Sequence, residues 1–244
     1  MNTINKTVLA IFTTFLATSC FANSWGYSGG SGPEHWSDMD SSFSTCGSGV
    51  NQSPINLTKM VETNLTPLKL NYQAGGNQII NNGHSIQINY ASGSTLSLDG
   101  DTYSLKQFHF HAPSENRIEG ESFPMEAHFV HADKEGHLAV IAVMFKVGQE
   151  NLELEKAWES MPNKPQEKQA LTDEVNAASL LPKSHDYYRF NGSLTTPPCS
   201  EGVKWLVMKN YETASSEQIS KFTNIMAHPN NRPIQSINAR AVMQ

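Results

Sequence analysis

The sequence predicts a mostly β, single-domain protein in which a few short peripheral helices accompany one large sheet. Charged residues make up only 16% of the 244 residues, and asparagine, serine, threonine and glycine are plentiful, which is typical of loop-rich β proteins. Strand patterns also outnumber helical patterns along the chain. A chain of this length is sufficient for one large domain with a full apolar core.

The N-terminus predicts a signal peptide at residues 1–22. A positive charge precedes the apolar run at residues 8–17, which is too short to span a bilayer comfortably. We expect cleavage after Ala22, which leaves residues 23–244 as one domain of an exported protein, periplasmic or secreted. A lipid anchor through Cys20 is the alternative. No later segment has eighteen consecutive apolar residues, so we expect no membrane span.

Two cysteines, Cys46 and Cys199, remain after the signal peptide. In an oxidising compartment they predict one disulfide, and two free thiols are the alternative. The closed loop of roughly 150 residues would contribute about 4–5 kcal/mol at most in the chain-entropy model.

Strand patterns recur throughout this domain, and Asp99-Gly100 marks a hairpin turn between two of them. The segment at residues 137–147 is almost entirely apolar, which predicts a central strand buried on both faces. The predicted strands cover residues 68–72, 85–90, 95–105, 137–147 and 205–211.

Two segments predict helices at the edge of this sheet. Apolar residues recur at helical spacing within residues 149–161, which Pro162 ends. Within residues 215–226, Ser215 and Gln218 form a capping box. We expect both helices to pack against the sheet rather than to carry chemistry.

The segment QFHFH at residues 107–111 predicts a strand that presents two metal ligands. Residues two apart point to the same side of a strand, so His109 and His111 share one face while the phenylalanines pack in the core. His128 lies on a second strand pattern at residues 124–131. Three neutral imidazoles that meet in one cleft, with a fourth position open, would form a catalytic zinc site.

Two polar residues are expected to orient these ligands. Gln107 precedes His109 by two residues, and Glu126 precedes His128 by two, so each pair shares a strand face. Metal-bound histidines usually donate their other N–H to such an acceptor. Solvated strand residues are the alternative.

Two other interpretations of the histidines stay open. They are also compatible with core or surface histidines that make ordinary hydrogen bonds. In addition, residues 109–115 fit the HxHx3E motif of cupins, in which Glu115 would be a ligand for iron or manganese. A cupin also needs a later glycine- and proline-rich segment with its own histidine, and His137 lacks the Pro-x-Gly sequence before it.

Six ordered motifs resemble those of the α-class carbonic anhydrases, specifically their exported bacterial branch, and the resemblance extends over essentially the whole predicted domain. The motifs are WGYSGGSGPEHW (25–36), NQSPINL (51–57), NNGHSI (81–86), QFHFHAPSEN (107–116), MEAHFVH (125–131) and NGSLTTPPCSEGVKW (191–205). The resemblance implies the α-carbonic anhydrase fold, with a large central, mainly antiparallel twisted sheet.

The resemblance also implies the activity. The protein would be a zinc lyase that hydrates CO2 reversibly to bicarbonate and a proton through a zinc-bound hydroxide, with one Zn²⁺ per chain on His109, His111 and His128. Its partners would be the small molecules CO2 and bicarbonate. We expect no nucleic-acid partner, which agrees with the net charge of −6 and the absence of a basic run. A weak esterase side activity and a homodimer are compatible with it. A catalytically silent binding module and a secreted zinc esterase are the alternatives, and iron or cobalt could replace zinc.

Individual roles follow from the same resemblance. Thr195 and Glu115 match the gate-keeping pair beside the metal, and His84 matches the proton shuttle, on a turn from which its side chain is expected to swing. Cys46 and Cys199 match the disulfide of exported members. The residues that match the substrate site, apolar except for the threonine, are Val130, Val140, Leu194, Thr196, Val203 and Trp205.

Overall fold

The computed structural model describes residues 25–244. The predicted signal peptide at residues 1–22, with its cleavage site after Ala22 and the alternative anchor Cys20, lies outside the described residues. Within residues 25–244, no helix has the length and apolar character needed to cross a bilayer.

Strands dominate the fold, as predicted. In chain order they are β1 (Asn56–Leu57), β2 (Lys69–Asn71), β3 (Gly76–Asn81), β4 (Ile86–Tyr90), β5 (Thr95–Leu98), β6 (Asp101–His111), β7 (Arg117–Ile118), β8 (Met125–Ala132), β9 (Leu138–Val147), β10 (Lys168–Val175), β11 (Tyr187–Ser193), β12 (Glu201–Met208) and β13 (Glu212–Ala214). The α-helices are α1 (Trp36–Met39), α2 (Thr45–Ser48), α3 (Leu152–Glu159) and α4 (Ser216–Met226). Short 3₁₀ helices cover Gly29–Ser31, Ser41–Phe43 and Ala177–Leu180.

One eleven-stranded sheet forms the centre of the molecule. Its main path runs in the order β10-β3-β4-β6-β8-β9-β12-β11, while β5 pairs with β6 and β2, and β13 pairs with β9. Most neighbours are antiparallel, whereas β12 and β13 run parallel to β9. The prediction of a mostly β fold around one large, mainly antiparallel sheet is therefore confirmed.

The hairpin predicted at Asp99-Gly100 is present. Leu98 pairs with Asp101 across it, and φ is +55° at Asp99 and +93° at Gly100. Two-residue hairpin turns of type I′ require this left-handed backbone at both central positions, which explains the Asp-Gly sequence.

Some predicted boundaries and strands differ from the structure. The strand expected at residues 205–211 begins earlier, at Glu201, because its pairing with β11 starts there, and it ends at Met208. The sequence also did not predict β10, an edge strand in which three exposed residues precede each buried one. That spacing hides the period of two that identifies a half-buried strand.

The sheet separates two apolar clusters. Phe108 and Phe110 of β6 face the larger cluster, which α3 and α4 cover with Trp158 and Phe222. The ring of Phe110 lies 4.9 Å from that of Trp158 in an edge-on contact. The smaller cluster lies on the opposite face, which is also the face of the three histidines, and includes Val140.

The two main helices are capped and joined by one side chain. The capping box predicted for Ser215 and Gln218 at the start of α4 is present. Oε1 of Gln218 also accepts the backbone N–H of Asn151, which caps α3 through its own side chain. Helices α3 and α4 therefore cover the larger apolar cluster as a unit.

His131 of β8 points away from the other three histidines and is buried in the core. Its Nδ1 donates to the carbonyl of Ala139 at 3.2 Å, so its Nε2 accepts the hydroxyl of Tyr72. Burial lowers the pKa of His131 to about 4.

We expect His131 to destabilise the fold in acid. An unfolded histidine has a pKa near 6.5, so the unfolded chain binds this proton first as the pH falls. The free energy of unfolding therefore decreases by about 3 kcal/mol between about pH 6.5 and about pH 4. Denaturant unfolding at several pH values should show that His131→Gln loses less stability in acid than wild type, because glutamine does not titrate. The same pH dependence in both proteins would contradict this role.

Candidate metal centre

Three histidines from two neighbouring strands converge on one face of the sheet. His109 and His128 are direct partners in the register of β6 and β8, and His111 follows on the same face of β6. One ring nitrogen from each lies within 4.8 Å of the others. The structure therefore brings together the three residues that the strand patterns predicted as ligands.

Two of the histidines donate their outer nitrogen to a fixed acceptor. Nδ1 of His109 donates to Oε1 of Gln107 at 2.9 Å, the contact expected from their spacing. Nδ1 of His111 donates to the backbone carbonyl of Asn230 at 2.7 Å, a partner that the sequence did not suggest. These contacts direct both Nε2 atoms toward the centre of the cluster.

Glu126 lies behind the third histidine. Its Oε1 is 2.9 Å from Nε2 of His128, at an angle outside ordinary hydrogen-bond geometry. The carboxylate is held by the backbone N–H groups of Glu115 and Asn116, at 2.7 and 2.9 Å, and by the side-chain amide of Asn116 at 2.8 Å. Glu126 is therefore a fixed group in a buried network, which leaves Nδ1 of His128 facing the cluster.

The electrostatics of the cluster favour neutral imidazoles. Burial is the largest cause that lowers the pKa of His109 and His128 well below the ordinary value, and it also lowers that of His111. A neutral imidazole is the form that binds a metal ion. Among the described residues, Nε2 of His111 is buried without a hydrogen-bond partner, so a cation at the centre of the cluster would satisfy it.

The donor set fits a zinc site better than a cupin site. Three nitrogen ligands with a fourth position open are typical of catalytic zinc, whereas a cupin would add Glu115 as a ligand. The carboxylate of Glu115 is not part of the ligand group found among the described residues. Its Oε1 instead accepts the backbone N–H of Arg232 at 2.9 Å.

Glu115 is a buried carboxylate next to the cluster, with Oε2 3.5 Å from Nε2 of His111. Burial raises the pKa of Glu115 to about 8, and the N–H of Arg232 and the hydroxyl of Thr195 act in the opposite direction. No hydrogen bond of good geometry joins Thr195 to Glu115 in the described part of the chain. A cation on the histidines would further favour the ionised carboxylate.

The disulfide between Cys46 and Cys199 is confirmed. The buried guanidinium of Arg232 donates to the carbonyl oxygens of Cys46 and Ser53, at 2.9 and 2.8 Å, and to Oε1 of Gln52 at 2.8 Å. Nε2 of Gln52 in turn donates to the carbonyl of Cys199 at 3.0 Å. The same arginine thus connects the disulfide to the buried carboxylate.

The register of the sheet aligns an apolar wall beside the histidines. Val130 pairs with Val140, which pairs with Trp205, so the three side chains form a row across β8, β9 and β12. The ring of Trp205 lies 4.8 Å from that of His128. The same apolar cluster includes two further residues expected at the substrate site, Leu194 and Val203.

An inner cavity of about 140 Å³ opens on the histidines, and His84 stands at its edge. The ring of His84 stacks on Trp25, with 3.6 Å between ring centroids, rather than projecting freely from its turn. Oδ1 of Asn82 accepts the backbone N–H of His84 at 2.9 Å and holds that turn. The lining also includes Tyr27, His109, His111 and Thr196.

Sequence reasoning missed four residues around this site. Trp25 and Tyr27 belong to the motif at residues 25–36, which carried the resemblance but suggested no role for either. Asn230 and Arg232 lie in a segment without periodic pattern, far along the chain from His111 and Glu115, which they contact. Only the hydrogen bonds described above reveal their contribution.

Comparisons with known proteins agree with this geometry. Residues 31–244 match the model of a family described as eukaryotic-type carbonic anhydrase. A carbonic anhydrase of Pectobacterium carotovorum is 48% identical over 235 residues, covering 96% of both chains, and one of Neisseria gonorrhoeae is 48% identical, covering 90% of this chain and 87% of its own. A solved α-carbonic anhydrase of Thermovibrio ammonificans, in complex with the inhibitor sulfanilamide, superposes with a TM-score of 0.89 at 48% identity, covering 91% of this chain and 99% of its own.

Proposed function

The chain belongs to the eukaryotic-type carbonic anhydrase family, and we propose that it hydrates CO2 with Zn²⁺ held by His109, His111 and His128. It is an enzyme, a carbonic anhydrase that interconverts CO2 and bicarbonate. The observation that carries the proposal is the group of three neutral imidazoles with converging nitrogens within 4.8 Å of one another. Zinc fits this group because each nitrogen donor is uncharged and a fourth position stays free for substrate chemistry.

When bound, Zn²⁺ lowers the pKa of a coordinated water toward neutrality, an effect known from carbonic anhydrases themselves. The three histidines contribute no negative charge, so they leave this effect at full strength. Gln107 and Glu126 act behind the ligands, where they fix the direction of the imidazole rings and raise their basicity.

Thr195 and Glu115 act as a one-way chain of hydrogen bonds in this proposal. An ionised carboxylate can only accept hydrogen bonds, so the hydroxyl of Thr195 uses its single proton to donate a hydrogen bond to Glu115. The oxygen of Thr195 is then left as an acceptor toward the cavity, where it selects a group that still has a proton to donate. The backbone N–H of Arg232 fixes the carboxylate from behind at 2.9 Å.

The apolar wall suits a small substrate without net charge. CO2 offers few groups for polar recognition, and Val130, Val140 and Trp205 present a dry surface beside His128. Weak binding there is sufficient, because binding substrate and transition state equally tightly would not raise the turnover rate. Leu194, Val203 and Thr196 complete the proposed substrate site.

His84 is the proposed proton shuttle, because it lines the inner cavity together with His109 and His111. We expect His84→Ala to lower kcat by about tenfold in weak buffer, since a positioned proton acceptor contributes roughly 10²-fold or more where no substitute exists. The ratio kcat/KM should not change, because CO2 binding does not involve this ring. Added imidazole should restore kcat, and equal rates in both proteins would end the shuttle assignment.

One experiment tests the proposed function as a whole. CO2 hydration should be measured by stopped flow on metal-free protein and again after zinc is restored. We expect activity only with metal, together with weak hydrolysis of activated esters by the same preparation. Metal binding without hydration would favour a silent binding module, and ester hydrolysis alone would favour a secreted esterase.

We further propose that residues 23–244 act as the catalytic domain after export and removal of residues 1–22. The disulfide between Cys46 and Cys199 supports an oxidising compartment, since disulfides persist there and are rare in the cytosol. Mass spectrometry of the native protein would identify the cleavage site and the metal together. A mature chain that begins at Cys20 with a lipid attached would replace this proposal with the anchored form.

A further inference from the structure

His84 lies between two cavities rather than at the open surface. The inner cavity is lined by two of the three metal-site histidines, His109 and His111, and also by His84, Trp25 and Asn82. The same three residues also line an outer cavity of about 330 Å³. His84 therefore gives a proton from the inner cavity a direct way out through the outer one.

The outer cavity holds a second histidine, His228, which the proposed function does not use. His228 follows α4 and is exposed. Its Nδ1 donates to the carbonyl of Pro229 at 3.0 Å, so its Nε2 is the nitrogen free to exchange protons. Imidazole is the side chain that most often relays protons near neutral pH.

A buried asparagine holds the loops of the two histidines together. Nδ2 of Asn230 donates to the backbone carbonyls of His84 and Phe110, at 3.0 and 2.9 Å. Asn230 has no exposed surface and lies only two residues after His228. The distance between the two imidazole-bearing loops is thus fixed by the same residue whose carbonyl supports His111.

We propose that His228 is a second proton relay, which takes the proton from His84 across the outer cavity and passes it to solvent or buffer. The inference rests on the proposed function, in which His84 receives a proton from each turnover. One N–H bond breaks on His84, one forms on Nε2 of His228, and water in the cavity can bridge the two. No electron transfer is involved, and His84 returns to its neutral form.

The charges around the outer cavity fit this direction of transfer. Burial lowers the pKa of His84, and the charge of His228 lowers it further, so the inner imidazole gives up its proton readily. Tyr27 is another titratable group near His228, with 6.2 Å between the two ring centroids. Burial raises the pKa of Tyr27 well above its ordinary value, so it stays neutral. The remaining wall, which includes Pro165 and Gln166, is uncharged.

The test compares His228→Ala with wild type and with His185→Ala, an exposed histidine outside both cavities, as the matched control. In weak buffer, we expect kcat of His228→Ala to fall by about 2- to 5-fold, less than the loss of about tenfold expected for His84→Ala. The ratio kcat/KM should stay constant, imidazole should restore kcat, and His185→Ala should match wild type. Unchanged kcat in weak buffer would overturn the relay.

The double variant and a metal-free measurement complete the test. If the relay is serial, His84→Ala/His228→Ala should be no slower than His84→Ala alone, and a further drop would overturn it. In metal-free protein, NMR should show a higher pKa for His84 in His228→Ala, because a like charge is gone; no change would count against the pairing. Wild type without zinc-dependent hydration would instead refute the proposed function, and the relay with it.

Discussion

Replacing His128 with alanine is expected to remove metal binding and CO2 hydration together. His128 is the one ligand in the cluster that β8 supplies, while His109 and His111 both come from β6. Two imidazoles on one strand do not complete a three-ligand site. Because the metal supplies the nucleophile, hydration should fall by more than about 10³-fold.

The result needs a control for folding, because His128 is buried in the middle of the sheet. His128→Asn keeps a polar side chain at this position, and His185→Ala changes an exposed histidine that does not line the inner cavity. Metal content by mass spectrometry, together with the melting temperature, separates loss of the ligand from loss of the fold. A folded His128→Ala protein that retained one zinc per chain and normal turnover would refute the assignment of this ligand.

Replacing Glu115 with glutamine is expected to have the second largest effect. The amide has almost the same size, and its oxygen can still accept the N–H of Arg232. Its NH2 group, however, donates where the carboxylate accepts, which would reverse the hydrogen bond proposed between Thr195 and Glu115. The threonine oxygen then no longer acts only as an acceptor toward the cavity. Loss of this orientation should cost about 10²-fold in kcat, the scale of a misplaced reacting group.

Glu119→Gln is the matched control, since Glu119 is exposed on the neighbouring loop and its backbone N–H donates to the carbonyl of Leu57. Stopped-flow hydration should leave this control at the wild-type rate. We also expect zinc content to stay unchanged in Glu115→Gln, because the carboxylate is outside the ligand group. A loss of zinc in this variant would indicate that Glu115 is itself a ligand, as the cupin interpretation holds.

The local part of the site could be predicted from the sequence because strand geometry determines it. Residues two apart share a strand face, so the alternation in QFHFH already separated the imidazoles from Phe108 and Phe110. The same rule placed Gln107 behind His109. The turn at Asp99-Gly100 could also be predicted from the sequence, since few sequences tolerate two consecutive residues with positive φ.

The distant part of the site could not be predicted in this way. Asn230 and Arg232 reach His111 and Glu115 from more than a hundred positions along the chain, through single hydrogen bonds of backbone groups. Any residue has a backbone carbonyl and, except proline, an N–H, so residue identity carries no signal for such contacts. The stacking of His84 on Trp25 likewise depends on where the N-terminal segment lies, which no local pattern specifies.

The contacts of Asn230 and Arg232 also determine when, during its synthesis, the protein can bind its metal ion. These residues leave the ribosome long after β6, and a domain generally folds as a unit. Until residue 232 has emerged, His111 lacks its acceptor and Glu115 lacks its backbone donor. Nascent chains should therefore acquire metal poorly, and loading is expected to be an event of the finished polypeptide.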